Sequence, residues 1–285
     1  MYKHLSSKIF LNNIRCMIGQ KKNGVQYGGD IILNTLKHNI KNKYIETIDI
    51  NKLYDYSKIY NRVNNNISID QNNSRSHNFN INLGGDHSIS VGTIKPLIDR
   101  YKDNILVVWI DAHGDINTSE SSFTKNKHGM PLAALMGMME HWYTIPTWYT
   151  APFRNYFLDP KNIIYCGVRD LDPFEKNTII DKNIKIFPNF IDNIISTINS
   201  HPAHYIHISF DVDSIDPSIM PSTGTLVKNG LLVEDVVNII NCTRDRLISF
   251  DLVEFNPLIG SNKDVKKTLD NIQIILDSVI RTSTL

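Results

Sequence analysis

Short apolar stretches rich in β-branched residues most constrain how this chain can fold. They occupy residues 80–83, 105–110, 162–167, 205–210 and 247–252. Stretches with helical spacing of apolar residues lie between and after them, at residues 130–139, 232–240 and 265–280. Strands that are apolar on both faces and alternate with helices are typical of a parallel sheet covered on both sides. The sequence therefore predicts the α/β class, with three α/β/α layers around a mainly parallel central sheet.

Composition sets wider limits. The 285 residues are 41% hydrophobic and 21% charged, and one domain over residues 1–285 is predicted. A formal net charge of +1 gives no sign of a nucleic-acid partner, and no apolar run has the length of a membrane span. The start lacks the apolar core of a signal peptide, and the cysteines show no paired spacing, so a cytoplasmic location is expected. Segment 55–80, rich in Asn and Ser, predicts a solvated surface excursion.

Acidic and histidine residues directly follow four of the apolar stretches. They are His87; Asp111, His113 and Asp115; Asp211 and Asp213; and Glu254. Ligands of open α/β sheets bind beyond the carboxyl ends of the strands, so these residues are expected at one rim. Residues two apart in an extended chain point the same way, which lets Asp111 and His113 face one site.

The chemistry of this set favours cations. Alone, an Asp-x-Asp pair is typical of a turn or a helix cap. Several carboxylates at one rim would repel one another unless cations lay between them. Two His with four Asp form a ligand set that suits Mn²⁺, and the absence of Cys argues against a structural zinc site. The residues by themselves therefore predict a two-metal hydrolytic site.

Three motifs in this order resemble the signatures of the ureohydrolases, the family of arginases, agmatinases and formiminoglutamases. They are Gly-Gly-Asp-His-Ser at 84–88, Asp-Ala-His-Gly-Asp at 111–115 and Ser-Phe-Asp-Val-Asp-x-x-Asp-Pro at 209–217. The resemblance runs from about Asn82 to Pro257. It implies two Mn²⁺ ions per subunit, with a hydroxide between them that attacks a guanidinium. One ion would be held by His87, Asp111, Asp115 and Asp211, and the other by His113, Asp111, Asp211 and Asp213.

A second resemblance narrows the expectation to arginases. Asn117 and the run 124–129 look like the arginase residues around the substrate α-carboxylate, which implies a substrate site of Asn117, Ser122, Thr124, Asn126 and Thr225. His128 would be a proton shuttle, although a buried, hydrogen-bonded His is the alternative. Catalysis would then rest on His128, Asp115 and Glu254, with Glu254 pairing with the substrate guanidinium. Asp172 and Glu175 would meet the α-ammonium, although Asp-Pro-x-Glu by itself indicates only a helix start.

The expected reaction is hydrolysis of L-arginine to L-ornithine and urea. The alternatives are an agmatinase or another ureohydrolase with the same metals, and an inactive relative that acts as a binding protein. The chain departs from the arginase pattern at Thr124, Lys125, Leu226 and Asn229, which bears on efficiency and specificity. By the resemblance a homo-oligomer, trimer or hexamer, is expected. An aromatic patch at residues 141–149 predicts ordinary packing, with a subunit contact as the alternative.

Overall fold

Eight strands form one all-parallel sheet in the computed structural model, which describes residues 8–36, 43–68, 78–139, 156–189 and 191–283. The sheet order is β2-β1-β3-β8-β7-β4-β5-β6. The strands are β1 Ile9–Cys16, β2 Lys43–Ile50, β3 Phe79–Leu83, β4 Ile105–Ile110, β5 Ile163–Cys166, β6 Lys185–Phe187, β7 Tyr205–Asp211 and β8 Leu247–Val253. Strands β3, β4 and β8 are buried along their whole length, as in a sheet covered on both faces.

Helices cover both faces of the sheet. They are α1 Gly28–Leu36, α2 Tyr56–Ser68, α3 Ser90–Tyr101, α4 Pro131–Leu135, α5 Pro173–Asp181, α6 Ile191–Ser200, α7 Val233–Cys242 and α8 Asn262–Ser283. Apolar residues of α1, α6, α7 and α8 form one core cluster with the sheet, and those of α2, α3, α4 and α5 form the other. The predicted three-layer α/β/α arrangement is therefore confirmed. Within the described residues, no helix is both long and apolar enough to cross a membrane.

The prediction for segment 55–80 was wrong over its described part. Helix α2 fills Tyr56–Ser68, and Ile59 and Val63 on its inner face are fully buried. Its apolar residues recur at helical spacing, but intervening Asn and Ser lower the mean hydropathy and hid that spacing. Residues 69–77 lie outside the described residues, as does the aromatic patch at 141–149.

The sequence patterns also missed strands β1, β2 and β6, and they overestimated α4. Strand β2 is largely exposed at the sheet edge, so it lacks the apolar character of the central strands. The stretch predicted as helical at 130–139 forms a helix only over Pro131–Leu135. The cysteines Cys16, Cys166 and Cys242 are free thiols.

The four central strands end at the same level. Leu83 of β3 pairs with Leu252 of β8, while Ile110 of β4 pairs with Phe210 of β7. Strands β8 and β7 are also neighbours. Because all of them are parallel, the residues that follow β3, β8, β7 and β4 meet at one edge of the sheet, where ligands bind in α/β proteins.

Candidate metal centre

His87 points one ring nitrogen at three carboxylates. It lies in a buried turn after β3, and its Nδ1 is 3.0 Å from Asp111 Oδ2, 3.0 Å from Asp115 Oδ2 and 3.3 Å from Asp211 Oδ2. The other nitrogen, Nε2, is 2.8 Å from Ser209 Oγ. When Nε2 carries the ring proton and donates it to Ser209, Nδ1 presents a lone pair to the carboxylates. A buried lone pair and three carboxylates that converge on one point fit a cation.

A second group of ligands adjoins the first. His113 Nδ1 lies 3.1 Å from Asp213 Oδ2 and 3.4 Å from Asp111 Oδ1. In each of two sets, His87 with Asp111 and Asp211, and His113 with Asp111 and Asp213, the ligand atoms lie within 4.8 Å of one another. Asp111 belongs to both sets. The two sets therefore adjoin through Asp111, and each offers imidazole and carboxylate donors that fit a metal ion.

The clustered Asp carboxylates of the two ligand sets repel one another. Burial, reinforced by the charge of Asp111, raises the pKa of Asp115 to about 6. Burial and the charge of Asp213 likewise raise the pKa of Asp211 well above its usual range. Positive charge close to these oxygens would remove the repulsion, and divalent ions supply it in a small volume.

The same hydrogen bond, from a backbone N–H to the Asp carboxylate two residues earlier, orients both ligand pairs. Asp111 Oδ1 accepts the backbone N–H of His113 at 2.7 Å, and Asp211 Oδ1 accepts that of Asp213 at 2.8 Å. In each Asp-x-His or Asp-x-Asp motif, the first carboxylate turns the chain after its strand and leaves its second oxygen facing the site. This side-chain hydrogen bond, which on its own is typical of a turn, therefore also positions a candidate metal-binding oxygen.

Glu254 lies next to the metal centre, buried after β8. Its Oε1 accepts the backbone N–H of His87 at 2.9 Å and is 3.0 Å from His128 Nδ1. Its Oε2 accepts from Gln20 Nε2 at 2.6 Å. Burial opposes ionisation of Glu254, but the charge and hydrogen bond of His128 hold the pKa of this carboxyl below its usual value. Burial opposes protonation of His128, but the charge and hydrogen bond of Glu254 raise the pKa of this imidazole to about 9.

A cleft opens above these residues. It is lined by His113, Asp115, Asn117, Ser122, Thr124, His128, Gly129, Glu175, Asp211, Asp213 and Thr225. Three predicted substrate residues are outside this lining. Asp172 accepts from the lining residue Asn117, whose Nδ2 lies 2.7 Å away. Glu254 contacts the lining residue His128. The half-buried Asn126 donates its backbone N–H to Thr124 Oγ1 at 3.2 Å.

The helix-start alternative for Asp172 and Glu175 is confirmed. Asp172 Oδ1 accepts the Glu175 N–H at 2.9 Å, and Glu175 Oε2 accepts the Asp172 N–H at 3.2 Å, a reciprocal cap of α5. Glu175 also lines the cleft, and burial together with the charge of Asp115 raises its pKa to about 7. Contact of these two side chains with a substrate ammonium stays a prediction.

The model of the arginase family matches residues 9–277 of the chain. The chain belongs to the arginase family. The expected resemblance is thereby confirmed, and it extends over β1, where the sequence motifs gave little guidance.

Individual arginases agree with this placement. Arginase of Schizosaccharomyces pombe is 34% identical over 215 residues, which cover 71% of this chain and 64% of the yeast protein. The match thus spans less than two thirds of that relative's length. Arginase of Staphylococcus aureus is 36% identical over 236 residues, covering 77% of this chain and 70% of that protein. The crystal structure of Entamoeba histolytica arginase in complex with L-ornithine superposes with a TM-score of 0.81 at 30% identity, covering 96% of this chain and 98% of that one.

Asn229, a departure from the arginase pattern, has a structural explanation. Its φ of 62° is in the left-handed region that favours glycine, and Asn tolerates this region better than most residues. The N–H groups of Asn229 and Gly230 both donate to Asp216 Oδ2, at 2.8 and 3.2 Å. The turn therefore keeps its shape without a glycine pair. Leu226, the other departure in this loop, is 51% exposed and follows the lining residue Thr225.

Three residues with clear contacts at the site have no role predicted from the sequence: Gln20, Ser209 and Arg169. The orientation of Ser209 could be predicted from the sequence, because Ser209 lies two residues before Asp211 on the same strand and so faces the same side. Arg169 donates to five backbone carbonyls, of Gly167, Asp213, Ser214, Val227 and Lys228, at 2.7–3.1 Å. It thereby joins the loop after β5 to both ends of the segment 213–228. No sequence signal indicates the contact of Gln20 with Glu254.

Proposed function

We propose that this chain is a binuclear manganese hydrolase that converts L-arginine to L-ornithine and urea. The observation that carries the proposal is the arrangement of two His/Asp ligand sets that share Asp111 at a cleft lined by His128, whose ring contacts the buried Glu254. Imidazole and carboxylate donors without thiolate suit Mn²⁺. A pair of such ions, when bound, lowers the pKa of water so that it attacks at neutral pH.

Glu254 is suited to hold the guanidinium. It is buried, and the neighbouring His128 keeps the pKa of Glu254 low, so that Glu254 stays a carboxylate although it is shielded from water. A charge-assisted pair between this carboxylate and the guanidinium would fix the reacting carbon above the ligand sets. Asp115 and Asp211, which line the floor of the cleft, would then lie beneath that carbon.

His128 is suited to move a proton. Its ring lines the cleft, and its pKa of about 9 means that it carries a proton at neutral pH. Cleavage of the guanidinium leaves an amine that needs a proton to depart. We assign this delivery to His128, whose Nδ1 is held in place by Glu254 at 3.0 Å.

Two hydroxyl groups favour arginine over agmatine, which lacks the α-carboxylate. Ser122 Oγ accepts the backbone N–H of Lys125 at 3.1 Å, and Thr124 Oγ1 accepts that of Asn126 at 3.2 Å. Because each oxygen is already an acceptor, its own O–H is directed elsewhere, and both residues line the cleft. Hydroxyl donors at the cleft wall suit a carboxylate, and a charge-assisted hydrogen bond contributes about 1.5–3 kcal/mol.

Urea release from L-arginine and from agmatine tests the proposal directly. The protein is dialysed against a chelator and assayed with and without added Mn²⁺. We expect activity only with the metal, and a higher kcat/KM for arginine. Activity in metal-free protein contradicts the metal assignment, and a preference for agmatine replaces the arginase assignment with the agmatinase alternative. Failure to release urea from either substrate, with Mn²⁺ bound, supports the inactive relative.

A further inference from the structure

The loop between β1 and α1, residues 17–24, reaches the carboxylate at the guanidinium end of the site. It does so because β1 pairs with β3, so the loop emerges beside the turn that carries His87. The loop is attached at several points. Cys16 O accepts the Asp86 N–H at 3.1 Å, Gly19 N donates to Asp86 Oδ2 at 2.8 Å, and Gly19 O accepts the His128 N–H at 3.1 Å.

Gly19 allows this close approach. A Cβ atom at Gly19 would lie 2.5 Å from Asp86 Oδ1 and 2.8 Å from Ser88 Oγ, both inside normal contact distance. The backbone can therefore pack against the turn only with glycine at this position. The next residue, Gln20, is then directed towards Glu254, and only 9% of its surface is exposed.

Gln20 completes the hydrogen bonding of Glu254. Its Nε2 donates to Glu254 Oε2 at 2.6 Å, while Oε1 receives the His87 N–H and faces His128. A carboxylate offers about four acceptor positions, so three fixed donors leave about one for a ligand. Glu254 also has a φ of 65°, in the left-handed region, so its position depends on such contacts with its surroundings.

We infer that Gln20 is a positioning residue for guanidinium binding, which it controls by fixing the orientation of the Glu254 carboxylate. The inference rests on the proposed function of Glu254. Gln20 contacts neither ligand set through this amide, so its influence is confined to the guanidinium end. Ligands with a guanidinium depend on Gln20, whereas the metals and ligands held only by the amino-acid end do not.

Gln20→Met tests this, because methionine keeps the length of the side chain and removes the N–H donor. Gln26→Met is the matched control, since Gln26 is in the following turn and its amide donates to Asn23 Oδ1 at 2.7 Å instead of to Glu254. We expect Q20M to lower kcat/KM for arginine about 10- to 100-fold, equivalent to about 1.4–2.7 kcal/mol. The Mn²⁺ content and the inhibition constant of L-ornithine, which has no guanidinium, stay at their wild-type values in both variants.

Two results would overturn the inference. One is a kcat/KM of Q20M equal to that of wild type and Q26M. The other is a loss of L-ornithine inhibition or Mn²⁺ content in parallel with kcat/KM, which would mean that Gln20 only maintains the loop. Wild-type protein that fails to hydrolyse arginine contradicts the proposed function instead. In that case the same comparison is made with agmatine, whose guanidinium is identical.

Discussion

Replacing Ser209 with alanine is expected to weaken metal binding while the fold is retained. Ser209 Oγ lies 2.8 Å from His87 Nε2, on the side of the ring opposite the three carboxylates. When Ser209 accepts from Nε2, the ring is held with its Nδ1 lone pair facing the metal position. Without Ser209, the ring loses its acceptor in a fully buried setting, where His87 is 0% exposed.

The magnitude follows from two independent considerations. A buried donor left without a partner costs about 1–3 kcal/mol. Removing the partner that orients a metal-ligating His lowers metal affinity about 10- to 100-fold, which equals about 1.4–2.7 kcal/mol. The two ranges agree, so a 10- to 100-fold rise in the Mn²⁺ dissociation constant, by about 1.4–2.7 kcal/mol, is expected.

Calorimetric titration of metal-free protein with Mn²⁺ measures this change. Ser249→Ala is the matched control, because Ser249 is equally buried on the adjacent strand and its Oγ has no hydrogen-bond partner among the described residues. We expect the control to bind Mn²⁺ as wild type does. Unchanged affinity in S209A, or the same loss in S249A, would refute the reasoning.

Three further changes are expected to separate the roles at the site. Asp111→Ala removes the carboxylate shared by both ligand sets, so metal analysis should show loss of both ions and urea release should cease. His128→Ala should lower kcat about 10²- to 10⁴-fold with metal content unchanged; a fall in metal content would assign His128 to ligation instead. In metal-free protein, burial raises the Glu175 pKa from 4.5 to about 7. The folded state then holds this proton more tightly, so Glu175 should lower stability by up to about 3 kcal/mol as pH rises through this window, and thermal melts of Glu175→Gln should lack this contribution while that of Asp115 remains.

The sequence predicted the central sheet and its ligands because both depend on local pattern. Strand β4 is apolar throughout, and Asp111 and His113 follow it with a spacing of two residues, so their placement needs no knowledge of distant contacts. The reciprocal cap of α5 by Asp172 and Glu175 is local in the same way.

What the sequence left open depends on contacts between distant segments. Gln20 and Glu254 are 234 residues apart in the chain, and neither a hydrophobic periodicity nor a motif around Gln20 predicts their hydrogen bond. The five carbonyl partners of Arg169 are backbone atoms, which leave no signal in residue type. Helix α2 was missed for another reason, because its polar residues outweigh the few that face the core.

The place of β8 between β3 and β7 has a consequence for biosynthesis. His87 and Glu254 are 167 residues apart in the chain, so at about 5–20 residues per second a ribosome makes the second roughly 10–30 s after the first. Until β8 is made, β3 and later β7 each lack the strand that joins them, and each leaves an unpaired strand edge. His87, which follows β3, can therefore join Asp111 and Asp211, which follow β4 and β7, only when β8 is inserted, so this ligand set is assembled late in the life of the newly made chain.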